Sequence, residues 1–391
     1  MAMHALQGPR LFTGEAFLDG HALLVDGDRI VEILPVAALP EGLPRVDLGG
    51  GVLAPGFLDL QVNGGGGVLF NATRTVAGAA AIAAAHAPYG TTGLLPTFIT
   101  DRPDAMVEAI ASAREAIAAR SPGILGLHLE GPFLATARKG AHDPALIRPM
   151  TDADVELLLQ AGIDNMLLTV AADNVSPRQI RRLADAGVTV SIGHSDASYE
   201  AAMAAADAGA RVVTHLYNAM SQLGHRAPGV VGAALDHGGL WAGLIADGHH
   251  VHPAALRIAL RAKRGPGRLF LVSDAMPPAG APGDTFELNG RITTRQAGRL
   301  TLEDGTLAGA AITMDEAVRF AVAQLDLPLG EALRMASLYP AEVMCLDGER
   351  GRLAPRYIAD LVLLGDDLAV RDVWIGGECR PDAPMSPLRL M

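Results

Sequence analysis

Eight short, mostly apolar segments recur along the middle of the chain, and stretches of helical patterning separate them. The segments are 51–62, 91–98, 123–130, 165–172, 188–194, 211–215, 240–247 and 268–275. Strands that read as continuous apolar runs are buried on both faces, as in parallel sheets covered by helices. The intervening helices are legible at 102–120, 151–162, 176–187 and 252–263, with Thr151 and Asp154 in capping-box spacing. Gly187 and Gly209 stand where left-handed helix ends are expected. Eight strand–helix units over about 290 residues predict a (β/α)8 TIM-type barrel. An open doubly wound sheet is the alternative, but it would carry a glycine-rich phosphate loop after its first strand. Gly64–Gly67 lacks that pattern and reads as a turn, or as backbone that a ligand can approach.

The two ends of the chain differ from its middle. Residues 21–34, HALLVDGDRIVEIL, read as a hairpin around Asp26-Gly27, and 359–380 has the same β character. Neither end has enough strands to bury a face alone, so the two are expected to pair into one small β-sandwich domain. The expected division is 1–52 with 346–391 for the small domain and 53–345 for the barrel. Residues 283–309, with turns at Asn289-Gly290 and Asp304-Gly305, read as a β insertion after the eighth barrel strand.

Charge and cysteine content narrow the function classes. Among 391 residues, Lys+Arg 31 against Asp+Glu 43 gives a net charge of −12. That balance argues against nucleic acid or an anionic membrane as a partner. The longest Ala-rich stretch, 77–87, is too short to span a bilayer, and the first residues lack the apolar core of a signal peptide. Cys345 and Cys379 make no CxxC pair, so a reducing, cytoplasmic setting is expected.

The polar residues that interrupt the apolar strands carry the chemistry. Glu130, His194, His215 and Asp274 fall at the C-terminal ends of the third, fifth, sixth and eighth strands, and barrel active sites form at that face. One carboxylate and two imidazoles supply three ligands and leave a fourth position open, the pattern of a catalytic metal. Asp274 then remains free as a base. Taken singly, each strand-end histidine also has a structural reading; the joint placement favours the metal site. Asp59 is either a support for the site or a structural end to its strand. Lys139 reads as a loop charge.

The motifs PGFLDLQVNGGGG (55–67), GLHLEGPF (126–133), KGAH (139–142), SIGHSDA (191–197) and THLYNAM (214–220) resemble the N-acetylglucosamine-6-phosphate deacetylases of the amidohydrolase superfamily. ADGHHV (246–251), LVSDAM (271–276), LAGAAITM (307–314) and ASLYPAEVM (336–344) extend the resemblance over essentially the whole chain, in order. It implies that Glu130, His194 and His215 hold the metal and that Asp274 is the general acid/base. His142 is implied to contact the reacting acetamide. Asn218, Ala219, Arg226 and His250 are implied to bind the sugar phosphate, with Arg226 reaching across a homodimer. Many amidohydrolases have His-x-His on strand one, but here Gln61 and Asn63 stand in its place. They are expected to support the site, with Gln61 bonding the metal-bound water or filling the second position, or simply to end the strand before the glycine turn. One divalent metal per chain is therefore expected, zinc first, with other divalent ions open. The expected reaction is hydrolysis of N-acetyl-D-glucosamine 6-phosphate to glucosamine 6-phosphate and acetate. The epimeric N-acetylgalactosamine 6-phosphate, and a cyclic amide or N-acyl amino acid, are the rival substrates. An inactive barrel kept as a scaffold is the non-enzyme rival, and the presence of all four strand-end groups speaks against it.

Overall fold

The computed structural model describes residues 3–380; the tail 381–391 of the expected small domain lies outside the described residues. Eight parallel strands form one sheet in chain order: Phe57–Val62, Thr91–Ile99, Leu127–Glu130, Met166–Val170, Thr189–Ile192, Val212–Val213, Trp241–Ile245 and Leu269–Val272. A parallel bridge between Val62 and Ala275 brings its two edges together, so the sheet is a nearly closed barrel. Helices follow the strands as the periodicity predicts. Pro103–Ala118, Asp152–Leu159, Pro177–Asp185 and Pro253–Ala262 occupy the four expected stretches. Thr151 and Asp154 do form a capping box, which satisfies two backbone donors at that helix start.

Three expectations change in detail. The segment 51–62 is two strands, not one. Val52–Pro55 pairs with Arg10–Phe12 and Leu361–Leu364, while Phe57–Val62 pairs with Thr91–Ile99. The break falls at Gly56, whose backbone N–H is drawn to the Asp360 carbonyl and where any Cβ would meet Thr92 at 2.2 Å. Second, the hairpin His21–Asp26/Arg29–Pro35 joins a four-stranded sheet with His4–Gln7 and Arg45–Asp47, not the strands of the other end. Its two-residue turn is Gly27-Asp28, one position later than expected, because Asp26 pairs directly with Arg29. The C-terminal strands Leu361–Leu364, Val370–Ile375 and Glu378–Arg380 join Val52–Pro55, Arg10–Phe12 and Phe17–Leu18 in a six-stranded sheet. Leu6, Leu23, Val25 and Ile30 of the first sheet pack against Leu11, Leu53, Leu361, Leu363 and Trp374 of the second, making a sandwich from both chain ends.

Third, of the two readings of Gly64–Gly67 it is the turn that forms: Gly66-Gly67, at φ +60° and +84°, close a short hairpin. Gly64–Gly65 pairs with Val68–Leu69, and a Cβ at Gly65 would lie 2.5 Å from the buried His86 ring. Close packing against the protein itself explains these two glycines.

The insertion forms a four-stranded antiparallel sheet, Thr285–Leu288, Arg291–Gln296, Arg299–Leu302 and Leu307–Ala310. Leu288, Leu300, Leu302 and Ala308 pack it against Leu69, Ile99 and Met276 beside the barrel mouth. Burying the three leucines contributes on the order of 1.5–3 kcal/mol each, enough to seat a small sheet.

Candidate active site

Three of the four strands that lead to Glu130, His194, His215 and Asp274 end earlier than the apolar runs do. Glu130 is the last residue of its strand, but His194, His215 and Asp274 each lie two residues past theirs. All three adopt left-handed backbone, with φ of 47°, 29° and 50°. Tyr217 and Ala219, on the loop after His215, do the same at φ 78° and 48°. Such conformations cost non-glycine residues of order 1–3 kcal/mol each, and they persist where surrounding structure imposes them. Here they turn three side chains from the strand direction toward a common centre.

At that centre Glu130 Oε1 lies 3.2 Å from His194 Nε2 and 3.2 Å from His215 Nε2. The two Nε2 atoms are 3.1 Å apart, and all three residues are buried. These separations are close to the ~3.3 Å edge of a tetrahedron built on 2.0–2.1 Å bonds, so the donor set fits a small divalent ion. His194 Nδ1–H donates to the Arg138 carbonyl at 2.8 Å, which leaves Nε2 as the lone pair facing the centre. Arg138 is itself steadied by Asp196 at 2.7 Å.

Asn63 Nδ2 donates to Asp274 Oδ1 at 2.7 Å, and Gln61 Nε2 donates both to Asp274 Oδ1 at 3.2 Å and to Glu130 Oε1 at 3.1 Å. The two amides thus present N–H groups to the carboxylates. Burial, then the nearby Glu130 charge, raises the Asp274 carboxyl to about 6. His142 Nδ1 is 2.8 Å from Thr100 Oγ1, and its ring lies edge-on to His194 with centroids 4.4 Å apart. Burial and the His194 ring push the His142 imidazole down to about 3, so it is neutral near neutral pH.

A cleft of about 370 Å³ opens over these groups. Glu130, His142, His194, His215, Asn218, Ala219, His250, Asp274 and Asn63 all line it. Gln61 lies just beneath, through its contacts with Asp274 and Glu130. Arg226 is the exception: it is exposed on the loop 221–228 and does not line the cleft of its own chain. The Lys139 ammonium donates to the Gly140 carbonyl at 3.4 Å.

Sequence reasoning passed over three features. Thr306, Leu307 and Gly309 bring the insertion sheet into the cleft wall. Gly309, at φ +67°, passes so close behind the site that a Cβ would be 2.9 Å from the Asp274 carbonyl oxygen and 2.7 Å from Met276. The motif LAGAAITM was the available signal. Thr100 was not singled out because a lone strand-end threonine has no distinguishing pattern. Below the site, the barrel interior is polar. His128 bridges Thr97 and Thr169, and Thr169 continues through Thr214 to Ser191. Asp59, fully buried, accepts from the backbone N–H of Gln61 and of Ser273, sewing strand one to the turn that carries Asp274.

Residues 52–380 match the model of the Amidohydrolase family, and residues 3–53 match the NagA composite domain. The chain is 42% identical to the N-acetylgalactosamine-6-phosphate deacetylase of Shewanella sp. (strain ANA-3), over 86% of this chain and 84% of that one. It is 36% identical to the N-acetylglucosamine-6-phosphate deacetylase of Haemophilus influenzae, over 96% of this chain and 98% of that one. Among solved structures it superposes with a TM-score of 0.93 on N-acetylglucosamine-6-phosphate deacetylase from Pasteurella multocida, at 38% identity, covering 97% and 99% of the two chains. A mutant of the Mycobacterium smegmatis enzyme in complex with N-acetyl-D-glucosamine-6-phosphate gives a TM-score of 0.90 at 34% identity, covering 97% and 99%.

Proposed function

The chain belongs to the amidohydrolase family, and from that premise we propose that it hydrolyses the acetamide of N-acetyl-D-glucosamine 6-phosphate, releasing acetate and D-glucosamine 6-phosphate. The observation that carries the reading is the convergence of Glu130, His194 and His215 beside Asp274 in one cleft. The first three residues would hold one divalent metal, for which zinc is our assignment. Bound there, such an ion lowers the pKa of a coordinated water toward about 7 and polarises the amide carbonyl.

The side chains divide the remaining work. Asp274 accepts the proton of the attacking water and returns it to the departing amine, which leaves poorly unless protonated. Asn63 and Gln61 fix the Asp274 carboxylate through its Oδ1. His142, neutral and bonded to Thr100 through Nδ1, directs its other nitrogen to the carbonyl oxygen, where negative charge develops. Asn218, Ala219 and His250 bind the sugar and its phosphate. Arg226 completes the phosphate site from a second copy of the chain, so the acting unit is a homodimer. This assignment accounts for an exposed arginine on a loop outside its own cleft.

The galacto epimer is a second reading, supported by the 42% identity to the Shewanella relative. No helix among the described residues is long and apolar enough to cross a membrane, and both cysteines are free. We assign the enzyme to the cytoplasm on that free-thiol pattern. The test is acetate release by metal-reconstituted enzyme on both epimeric 6-phosphates, with chelator-treated protein as control. Faster turnover of the gluco epimer supports the leading reading, faster turnover of the galacto epimer supports the second, and no acetate from either refutes both.

A further inference from the structure

The loop after strand Trp241–Ile245 is organised by one carboxylate. Asp247 Oδ1 accepts the backbone N–H of His249 at 2.8 Å and of His250 at 2.9 Å, and Oδ2 accepts His250 Nδ1–H at 2.6 Å. The side chains of His250 and Asp247 are only 6% and 7% exposed. Gly248 makes the turn possible: its φ is +74°, and a Cβ there would lie 3.0 Å from the Phe320 ring. Burial by itself would raise the Asp247 carboxyl, but the His250 ring and the two backbone donors outweigh it and hold it below the usual range.

The two residues face different spaces. His250 lines the substrate cleft, with Asp274, Asn218 and Ala219. Asp247 does not; it lines a separate cavity on the far side of the loop, with His249, Arg319 and Phe320. Asp247 bears on the cleft through its bond to His250. With Nδ1 committed to Asp247, the nitrogen that His250 can offer to the cleft is Nε2. An imidazole that donates from both nitrogens is a cation, and a buried cation is stable only when paired. A phosphate at Nε2 needs that donating form.

We propose that Asp247 is a positioning residue for the substrate's phosphate: it locks the His250 ring and partners the imidazolium that donates to the anion from Nε2. The inference rests on the phosphate reading of His250 given above. It makes Asp247–His250 a built-in half of the anion site, carried by each chain alone. Arg226 would then complete that site from the partner, as an independent half.

The test uses full-length, metal-loaded enzyme and its Asp247→Asn and Asp247→Glu variants. Three quantities are measured: KM and kcat for N-acetylglucosamine 6-phosphate, the same for unphosphorylated N-acetylglucosamine, and the inhibition constant of inorganic phosphate. Asp247→Asn should raise KM for the phosphorylated sugar and the phosphate inhibition constant together, by about tenfold to a hundredfold, with a much smaller change in kcat. The unphosphorylated sugar should lose far less. Asp247→Glu, which keeps the charge, should recover part of the phosphate affinity. Proportional losses on both sugars, or an unchanged phosphate inhibition constant, would overturn the inference. Loss of bound metal in Asp247→Asn would do so too, since it would mark a structural role. Wild-type enzyme that treats the two sugars alike would instead refute the phosphate reading of His250 itself.

Discussion

Both amide donors to Asp274 fall on one oxygen, Oδ1, from Asn63 at 2.7 Å and Gln61 at 3.2 Å. That carboxylate is fixed in place without being needed to complete the Glu130–His194–His215 set. Asp274→Asn should therefore keep nearly full metal content while turnover falls by about 10²–10⁴. Elemental analysis and acetate release on the same preparation check this; joint loss of metal and activity would make Asp274 a ligand. Asp59 illustrates a different use of a buried carboxyl. Burial raises it from 3.8 to about 7, against the lowering effect of its contacts with Ser273 and Gln61. Its folded value exceeds its unfolded one, so its contribution to stability is full below about pH 4 and is lost as pH rises through about 7. Asp59→Asn does not titrate. Its melting temperature relative to wild type should climb by a few degrees between about pH 5 and pH 8. A difference that is flat or falling over that range would contradict the assignment.

At the level of elements, the insertion sheet is the part of the cleft wall with the smallest core of its own. Leu300, fully buried, sits in the cluster that holds the sheet to Leu69, Ile99 and Met276. Leu300→Ala should cost about 2–5 kcal/mol of local stability. Because Thr306 and Leu307 reach the cleft from that sheet while Glu130, His194 and His215 stand at the ends of barrel strands, KM should rise with metal content unchanged. Kinetics with metal analysis test this, and hydrogen exchange confined to 285–310 would locate the loosening. The left-handed turns at His194, His215 and Asp274 belong to the same scale. Each is held by a neighbour: His194 by the Arg138 carbonyl, His215 by the Asn218 N–H on its carbonyl at 2.9 Å, and Asp274 by the Ala310 N–H on its own carbonyl at 2.9 Å.

For the whole molecule, the phosphate site is divided between chains if Arg226 acts as proposed. Mixing Arg226→Ala with Asp274→Asn subunits should then restore activity that neither variant has alone. In a hybrid dimer one cleft has an intact Asp274 and an intact arginine from its partner. Absence of recovery, with subunit exchange demonstrated, would place Arg226 outside the site. The metal count is also a property of the folded chain. Gln61 and Asn63 give their N–H groups to carboxylates, so reconstituted protein should retain one tightly held metal per chain after chelator washing. Two metals, both required for turnover, would defeat that expectation.

The amino-acid sequence determined the alternation of apolar strands and capped helices, because a strand buried on both faces has little freedom of composition. It also placed Glu130, His194, His215 and Asp274 at the same end of a barrel, since strands that alternate with helices run parallel and so share one C-terminal face. The helix start at Thr151 and the β insertion at 283–309 were legible from local patterns too. What the linear chain could not express was any contact between distant segments. The transfer from sandwich to barrel at Gly56 depends on Thr92 and Asp360, and the split of the two end sheets depends on which edge each hairpin meets. The polar chain through His128, the Thr100 support for His142 and the Asp247 clamp on His250 are likewise tertiary. Histidine, threonine and aspartate carry no periodic signal; their roles arise only where folding brings a donor and an acceptor within about 3 Å and excludes the water that would otherwise compete.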